Sequence, residues 1–263
     1  MTRAALGAAG GASNLAAPGT PEVPAALYPS RNGRKSGGAS SSRRILIMLG
    51  APGAGKGTQA DVLAERLGLP HVSTGDLFRT AIREQTALGR EAKRYMEKGA
   101  LVPDDVTVRM LKARLAEPDA VDGAILDGFP RTAPQAESLD RLLASQGSRV
   151  RGALYVEVPK EELVRRLSGR RVCTGHGQHV YHVLWKPSKV EGICNIDGTP
   201  LEQRADDQPE TVQARLEKQL PPMYEVVDYY ADRKILYSVR GDQAIDAVTQ
   251  ELLHAVEAAT AAS

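Results

Sequence analysis

Nine residues, "GAPGAGKGT" at 50–58, combine four glycines with a lysine and a threonine. Gly50, Gly53, Gly55 and Gly57 let the backbone curl around Ala54 so that successive N–H groups point inward. Those dipoles, with the N-terminus of a following helix, hold phosphate oxygens. Lys56 adds a point charge beside a phosphoryl group. The usual pattern sets Ser or Thr directly after the lysine. Here Gly57 intervenes, and Thr58 takes the hydroxyl position near Mg²⁺. The bland alternative is a glycine-rich turn that binds nothing, and the strand before it and helix after it argue against that.

Two further stretches, "STGDLFR" (73–79) and "LDGFPRT" (126–132), each close an expected strand. In an open parallel sheet, ligands sit beyond the carboxyl ends of the strands. Asp76, Arg79, Asp127 and Arg131 are therefore expected to face the same crevice as the glycine-rich loop. Asp127 ends an apolar run and is a candidate for holding Mg²⁺ through water. Asp76 also reads as a helix cap; the Gly-Phe-Pro after Asp127 argues against capping there. A third chemistry concerns the two cysteines of the chain, each followed three positions on by a polar residue: His176 after Cys173, and Asp197 after Cys194. Two cysteines in 263 residues do not make a disulfide-stapled secreted domain. A reducing compartment, taken as cytoplasmic, follows, and favours a metal over a disulfide.

The elements that must position these residues alternate along the chain. "RILIMLG" is a continuous apolar run, the mark of a buried parallel strand. "KGTQADVLAERLG" follows with helical spacing and a closing glycine. "HVST", "GAILDGFP", "GALYVEV" and "KILYSVRG" give further strands, with helical stretches around 76–97 and 104–117, at "KEELVRRLSGR", from Pro209 onward and over 242–258. Strands alternating with helices predict an α/β fold, a parallel sheet with helices on both faces. Residues 173–203 break this pattern, interleaving Gly, Pro, His and Tyr without helical period.

Residues 1–43 stand apart: rich in Ala, Gly, Ser and Pro, with Glu22 the single acidic residue. They carry too little apolar mass to offset ordering entropy, so a disordered extension is expected, either non-functional or an organellar transit peptide. The formal net charge of +2 gives no global electrostatic basis for binding nucleic acid or a membrane surface. No apolar run reaches the roughly 18–20 residues that span a bilayer. Nothing in the sequence requires more than a monomer.

"GAPGAGKGTQ", "STGDLFR", "LDGFPRT" and "QRADD" (203–207), in this order, resemble adenylate kinase of the long-lid bacterial type, over roughly Arg44 to the last helix. The resemblance implies a P-loop NTPase-type sheet over 44–263, an AMP-binding insert at 73–102 and a lid at 169–207. It implies Mg²⁺-dependent transfer of phosphoryl from ATP to AMP, giving two ADP. Under it, Gly53, Ala54, Gly55, Lys56, Gly57, Thr58, Arg166, Arg170 and Gln243 would bind ATP, with "VRGDQA" (239–244) bordering the adenine. Thr74, Arg79, Ala100, Leu101, Val102, Gly128, Arg131, Gln135, Arg204 and Arg215 would bind AMP. Asp206 and Asp207 would sit near the lid hinge. Catalysis would fall to Lys56, Arg131, Arg170, Arg204, Arg215 and Asp127. Six arginines and one lysine at motif positions suit a reaction that needs positioning and charge neutralisation more than covalent chemistry. Lid closure, which keeps water from the phosphoryl group, comes with the resemblance.

A lid of about 35 residues has little core of its own, and pieces that small usually need a staple. Cys173, His176, Cys194 and Asp197 supply four ligands in two knuckles, the arrangement of a structural Zn²⁺ site. Between the first knuckle and "YHV" the chain is one residue longer than the family pattern, which leaves His176 and His179 both open as the second ligand. His182, in "VYHV", reads as a packing residue. A metal-free polar cluster and a disulfide are the alternatives. The competing functions are a kinase for UMP or CMP, against which the long lid argues, and a zinc-stabilised P-loop binding module, for which one Trp and two Phe offer few stacking platforms.

Overall fold

The computed structural model describes residues 43–175 and 179–261. The expectation for 1–43 therefore falls, but for Arg43, outside the described residues, as does His176. Strand β1 (Arg44–Leu49) lies at the centre of a five-stranded sheet, because its side chains are apolar toward both faces. Ile45, Ile47 and Leu49 enter one core and Leu46 and Met48 the other, the two-residue alternation of a strand buried on both sides. β2 (His71–Ser73), β3 (Gly123–Asp127), β4 (Arg149–Glu157) and β8 (Leu236–Arg240) complete the sheet in the order β2-β3-β1-β4-β8, every pairing parallel.

Helix α1 (Lys56–Leu67) leaves β1 directly and closes at Gly68 in the left-handed conformation. With α6 (Lys160–Gly169) and α8 (Ile245–Ala261) it contributes to one core. The opposite core is built by α2 (Thr74–Arg83), α3 (Ala87–Met96), α4 (Asp104–Leu115), α5 (Ala133–Ala144) and the second half of α7 (Pro209–Asp232). The single helical stretch expected around 76–97 is two helices. Gln85 takes φ 54, and Thr86 then caps α3 by accepting from Gly89 N. Gly89 is required here, since a Cβ would collide with the Ala81 backbone of α2.

Between α6 and α7 the chain forms a small antiparallel sheet, β5 (Arg170–Cys173), β6 (Val180–His182) and β7 (Leu201–Glu202), in the order β6-β5-β7. Cys173, Tyr181 and Cys194 form its buried cluster, with Leu201 packed against them, and Val172 of β5 is buried as well. A 3-10 turn, Ala205–Asp207, leads back to α7. Among the described residues no helix is long and apolar enough to cross a membrane.

Candidate active site

Sheet order reverses direction around β1, and the carboxyl ends of β1, β2 and β3 open on one crevice. The loop after β1 takes the conformation its glycines allow: Gly50, Gly53 and Gly55 have φ of 144, 86 and 93. Gly55 sits at the N-terminus of α1 without a capping side chain, which leaves that helix end free for an anion. Lys56 opens the helix and folds back, its Nζ donating to Ala51 O at 2.9 Å. Burial, with further repulsion from Arg131, Arg215 and Arg170, pulls its ammonium down to about 8 against the attraction of Asp127.

The crevice is a cleft of about 560 Å³. Lys56 and Thr58 line it together with Arg79, Arg131, Arg166, Arg170 and Arg204. Arg215 stands behind it, buried, with NH1 2.9 Å from Asp206 and 3.1 Å from Asp207. Asp207, fully buried, also takes Arg170 in a two-pronged bond, from Nε at 2.7 Å and NH2 at 2.6 Å. Asp76 takes Arg79 through two nitrogens and stands 3.5 Å from Arg204. It is not the cap of α2: Ser73 fills that place, accepting from Asp76 N at 3.2 Å. Arg166 bonds Glu162 and the Gly241 carbonyl.

Positive charge exceeds what these carboxylates offset. Burial, and then Arg79 and Arg170, bring Arg204 down to about 9; burial and Arg215 bring Arg131 down to about 10. Against the opposing effect of burial, the same arginines hold Asp76 well below the usual carboxylate range and Asp206 at about 2. Arg204 Nε is buried with no hydrogen-bond partner among the described residues. A polyanion in the cleft would relieve both conditions.

A second, smaller pocket of about 40 Å³ adjoins the cleft. Thr74, Arg79, the Ala100–Val102 run, Gly128, Arg131 and Gln135 all line it. Thr74 donates to Gly128 O at 2.8 Å, and Arg131 Nε to the same carbonyl at 2.7 Å. The two pockets share Gly75, Arg79, Gly128 and Arg131 as wall. At the far edge of the large cleft lies Gln243, bonded to Arg240 O and Glu251.

Three residues of this site carry no sequence signal of their own. His71 places Nδ1 2.8 Å from Asp61 and Nε2 3.4 Å from Asp127. Burial alone would lower it, but the nearby Asp127 carboxylate and its bond to Asp61 hold the imidazolium up to about 10. Asp127 in turn falls below the usual carboxylate range: burial would raise it, and His71 and Lys56 outweigh burial. Gln219, from α7, joins Arg131 NH1 at 3.1 Å to Gly99 O at 2.9 Å. Asp104 accepts from Gln135 and Thr132. Each is visible only once distant segments are in contact.

In the small sheet, Cys173, His179, Cys194 and Asp197 set one ligand atom each within 4.8 Å of one another. His179 Nδ1 is 3.4 Å from both sulfurs and 3.3 Å from Asp197 Oδ2. Both cysteines are free, and backbone N–H groups point at their sulfurs: His179 N at 2.9 Å from Cys173 and Ile196 N at 3.4 Å from Cys194. Two thiols, an imidazole and a carboxylate in this arrangement fit a tetrahedral Zn²⁺. His182 packs instead, its ring stacked on Trp185 with centroids 4.0 Å apart.

The family described as adenylate kinase matches residues 48–235. An adenylate kinase of Streptomyces avermitilis is 48% identical over 212 residues, covering 81% of this chain and 96% of its own length. Adenylate kinases of Oceanobacillus iheyensis and Staphylococcus epidermidis are 50% and 47% identical over 207 and 208 residues, each covering 79% of this chain and 96% of the relative.

Proposed function

The chain belongs to the adenylate kinase family, and on that premise we propose how its residues carry the transfer of the terminal phosphoryl of ATP to AMP, giving two ADP. The observation that supports the division most directly is the shared wall. Arg79 and Arg131 border both the large cleft and the small pocket. A nucleotide phosphate in each would meet at those guanidiniums, as in-line transfer requires.

ATP lies with its phosphates on the backbone N–H groups of residues 53–58 and on Lys56, its base toward Gln243 and Arg166. AMP lies in the small pocket, its phosphate on Arg79 and Arg131, its base near Thr74 and Gln135 and along Ala100–Val102. Arg170, Arg204 and Arg215 close over the phosphates. Asp207 holds Arg170, and Asp206 and Asp207 together hold Arg215, oriented before substrate arrives, so less reorganisation is left for the transfer itself. No general base is needed, because the attacking oxygen belongs to a phosphate that is already anionic. Asp127 and Thr58 present hard oxygen donors that suit Mg²⁺, which when bound neutralises phosphate charge. Residues 73–102 act as the acceptor insert and 169–207 as the lid that excludes water. Cys173, His179, Cys194 and Asp197 hold a structural Zn²⁺ in that lid. Free thiols in such a set suit a reducing cytoplasm, and the chain works as a monomer.

The test is product stoichiometry with purified protein, ATP, Mg²⁺ and one monophosphate at a time. Two ADP per AMP consumed, slow turnover with UMP and CMP, and almost no ATP loss without acceptor are expected. Faster turnover with UMP, or ATP hydrolysis independent of AMP, would contradict the assignment.

A further inference from the structure

Gln135 lies in the first turn of α5 with 2% of its surface exposed, and both ends of its amide are committed. Oε1 accepts from the Arg131 backbone N–H at 2.8 Å, and Nε2 donates to Asp104 Oδ1 at 2.7 Å. Turning the amide over would set oxygen against carboxylate and NH₂ against N–H. Its polarity is therefore dictated by its neighbours and not by how its two ends happen to be labelled. Asp104 is itself held. It is the first residue of α4, at the positive end of that helix, and its Oδ2 accepts from the Thr132 hydroxyl at 2.8 Å.

Each end of the amide keeps one unused valence: a second lone pair on Oε1 and a second N–H on Nε2. Gln135 lines the small pocket, where these valences are available to a base. They match an edge on which an accepting ring nitrogen stands beside a donating exocyclic amine. A 6-aminopurine has that edge, with N1 accepting and N6 donating. A 6-oxopurine places N1–H and O6 at the same two positions with polarity reversed, and uracil does the same with N3–H and O4.

We propose that Asp104, by fixing the polarity of the Gln135 amide, makes the acceptor site select 6-amino over 6-oxo purine monophosphates. This rests on the reading that Gln135 meets the acceptor base. Asp104 touches no substrate and is a positioning residue acting through Gln135. The Arg131 backbone donor biases the amide the same way, so selectivity falls without Asp104 and does not vanish.

Asp104→Asn tests this most cleanly. Asparagine keeps the size and a hydrogen bond to Gln135, but presents either oxygen or NH₂, and the Thr132 hydroxyl serves both. The readouts are kcat/KM with AMP and with IMP at saturating Mg²⁺ and ATP, dissociation constants of both monophosphates, and melting temperature. Gln135→Leu is measured alongside. The AMP-over-IMP ratio is expected to fall about tenfold in Asp104→Asn, the size of one lost hydrogen-bond preference, mostly through KM and with melting nearly unchanged. Asp104→Ala is expected to lower it at least as far. Equal losses for AMP and IMP in Asp104→Asn, with the ratio collapsing only in Gln135→Leu, would overturn the proposal and leave Asp104 a plain brace. A ratio unmoved by Gln135→Leu as well would remove the base reading of Gln135, and the proposal with it.

Discussion

The sheet core and the lid solve the same problem, holding charged side chains in fixed places, with opposite means. Around the five-stranded sheet, two large apolar clusters fill both faces, and the phosphate-facing residues project from strand ends that those clusters immobilise. Among the described residues the lid sheet buries only Val172, Tyr181 and the two cysteines. Apolar burial at that scale cannot offset the ordering of some three dozen residues. Rigidity in the core comes from packing; in the lid it has to come from polar or metal bonds among Cys173, His179, Cys194 and Asp197. The difference implies that damage to the core cleft should appear in rate, and damage to the lid cluster in stability.

The sharpest break of that division is Lys56→Ala. It removes the point charge at the loop while leaving both apolar clusters intact, so kcat should fall by about 10²- to 10³-fold with melting nearly unchanged. A rate near that of the unaltered protein would remove the loop from the mechanism. Next in size is pH. Because burial lowers Lys56 to about 8, the free protein loses this charge as pH rises through 8. The apparent kcat/KM for ATP should then fall about tenfold per pH unit above that value, while kcat, with phosphate against the ammonium, holds to higher pH. A kcat/KM profile flat to pH 9.5 would contradict this. On the lid side, Cys194→Ser should lower melting by about 5 °C and leave the initial rate at low temperature within about twofold, which calorimetry and a coupled assay can check. Smallest of all is Asp61→Asn. Its bond to His71 is exposed on the Asp61 side, so a loss of about 1 kcal/mol or less is expected in denaturant unfolding.

What the sequence made legible follows from the same contrast. Residues 50–58, 73–79 and 126–132 announce themselves because each motif is local: a strand ends, a glycine or a Gly-Phe-Pro turns the chain, and the functional side chain follows within a few positions. Asp76, Arg79, Asp127 and Arg131 reach the crevice for that reason. The parallel α/β architecture was readable from apolar runs alternating with helical spacing. Residues that serve through distant partners were not. Gln219 reaches Gly99 across 120 positions, and His71 matters only because β2 pairs with β3 and brings Asp127 beside it. The break between α2 and α3 escaped periodicity, since a single residue at φ 54 interrupts an otherwise amphipathic stretch. Spacing alone left His176 and His179 equivalent; the lid sheet sets His179 among the sulfurs, and His176 lies outside the described residues.

One sample with two readouts tests the division between core and lid most directly. Protein purified without added metal is assayed for zinc, then followed for melting temperature and for initial ADP formation before and after a strong chelator of zinc. About one zinc per chain, a melting point lowered by several degrees after chelation, and an initial rate at low temperature, with Mg²⁺ restored, close to that of the untreated sample are expected. A rate that collapses while melting stays put would contradict the account, because the lid cluster would then serve the chemistry and the core cleft would not be sufficient for it.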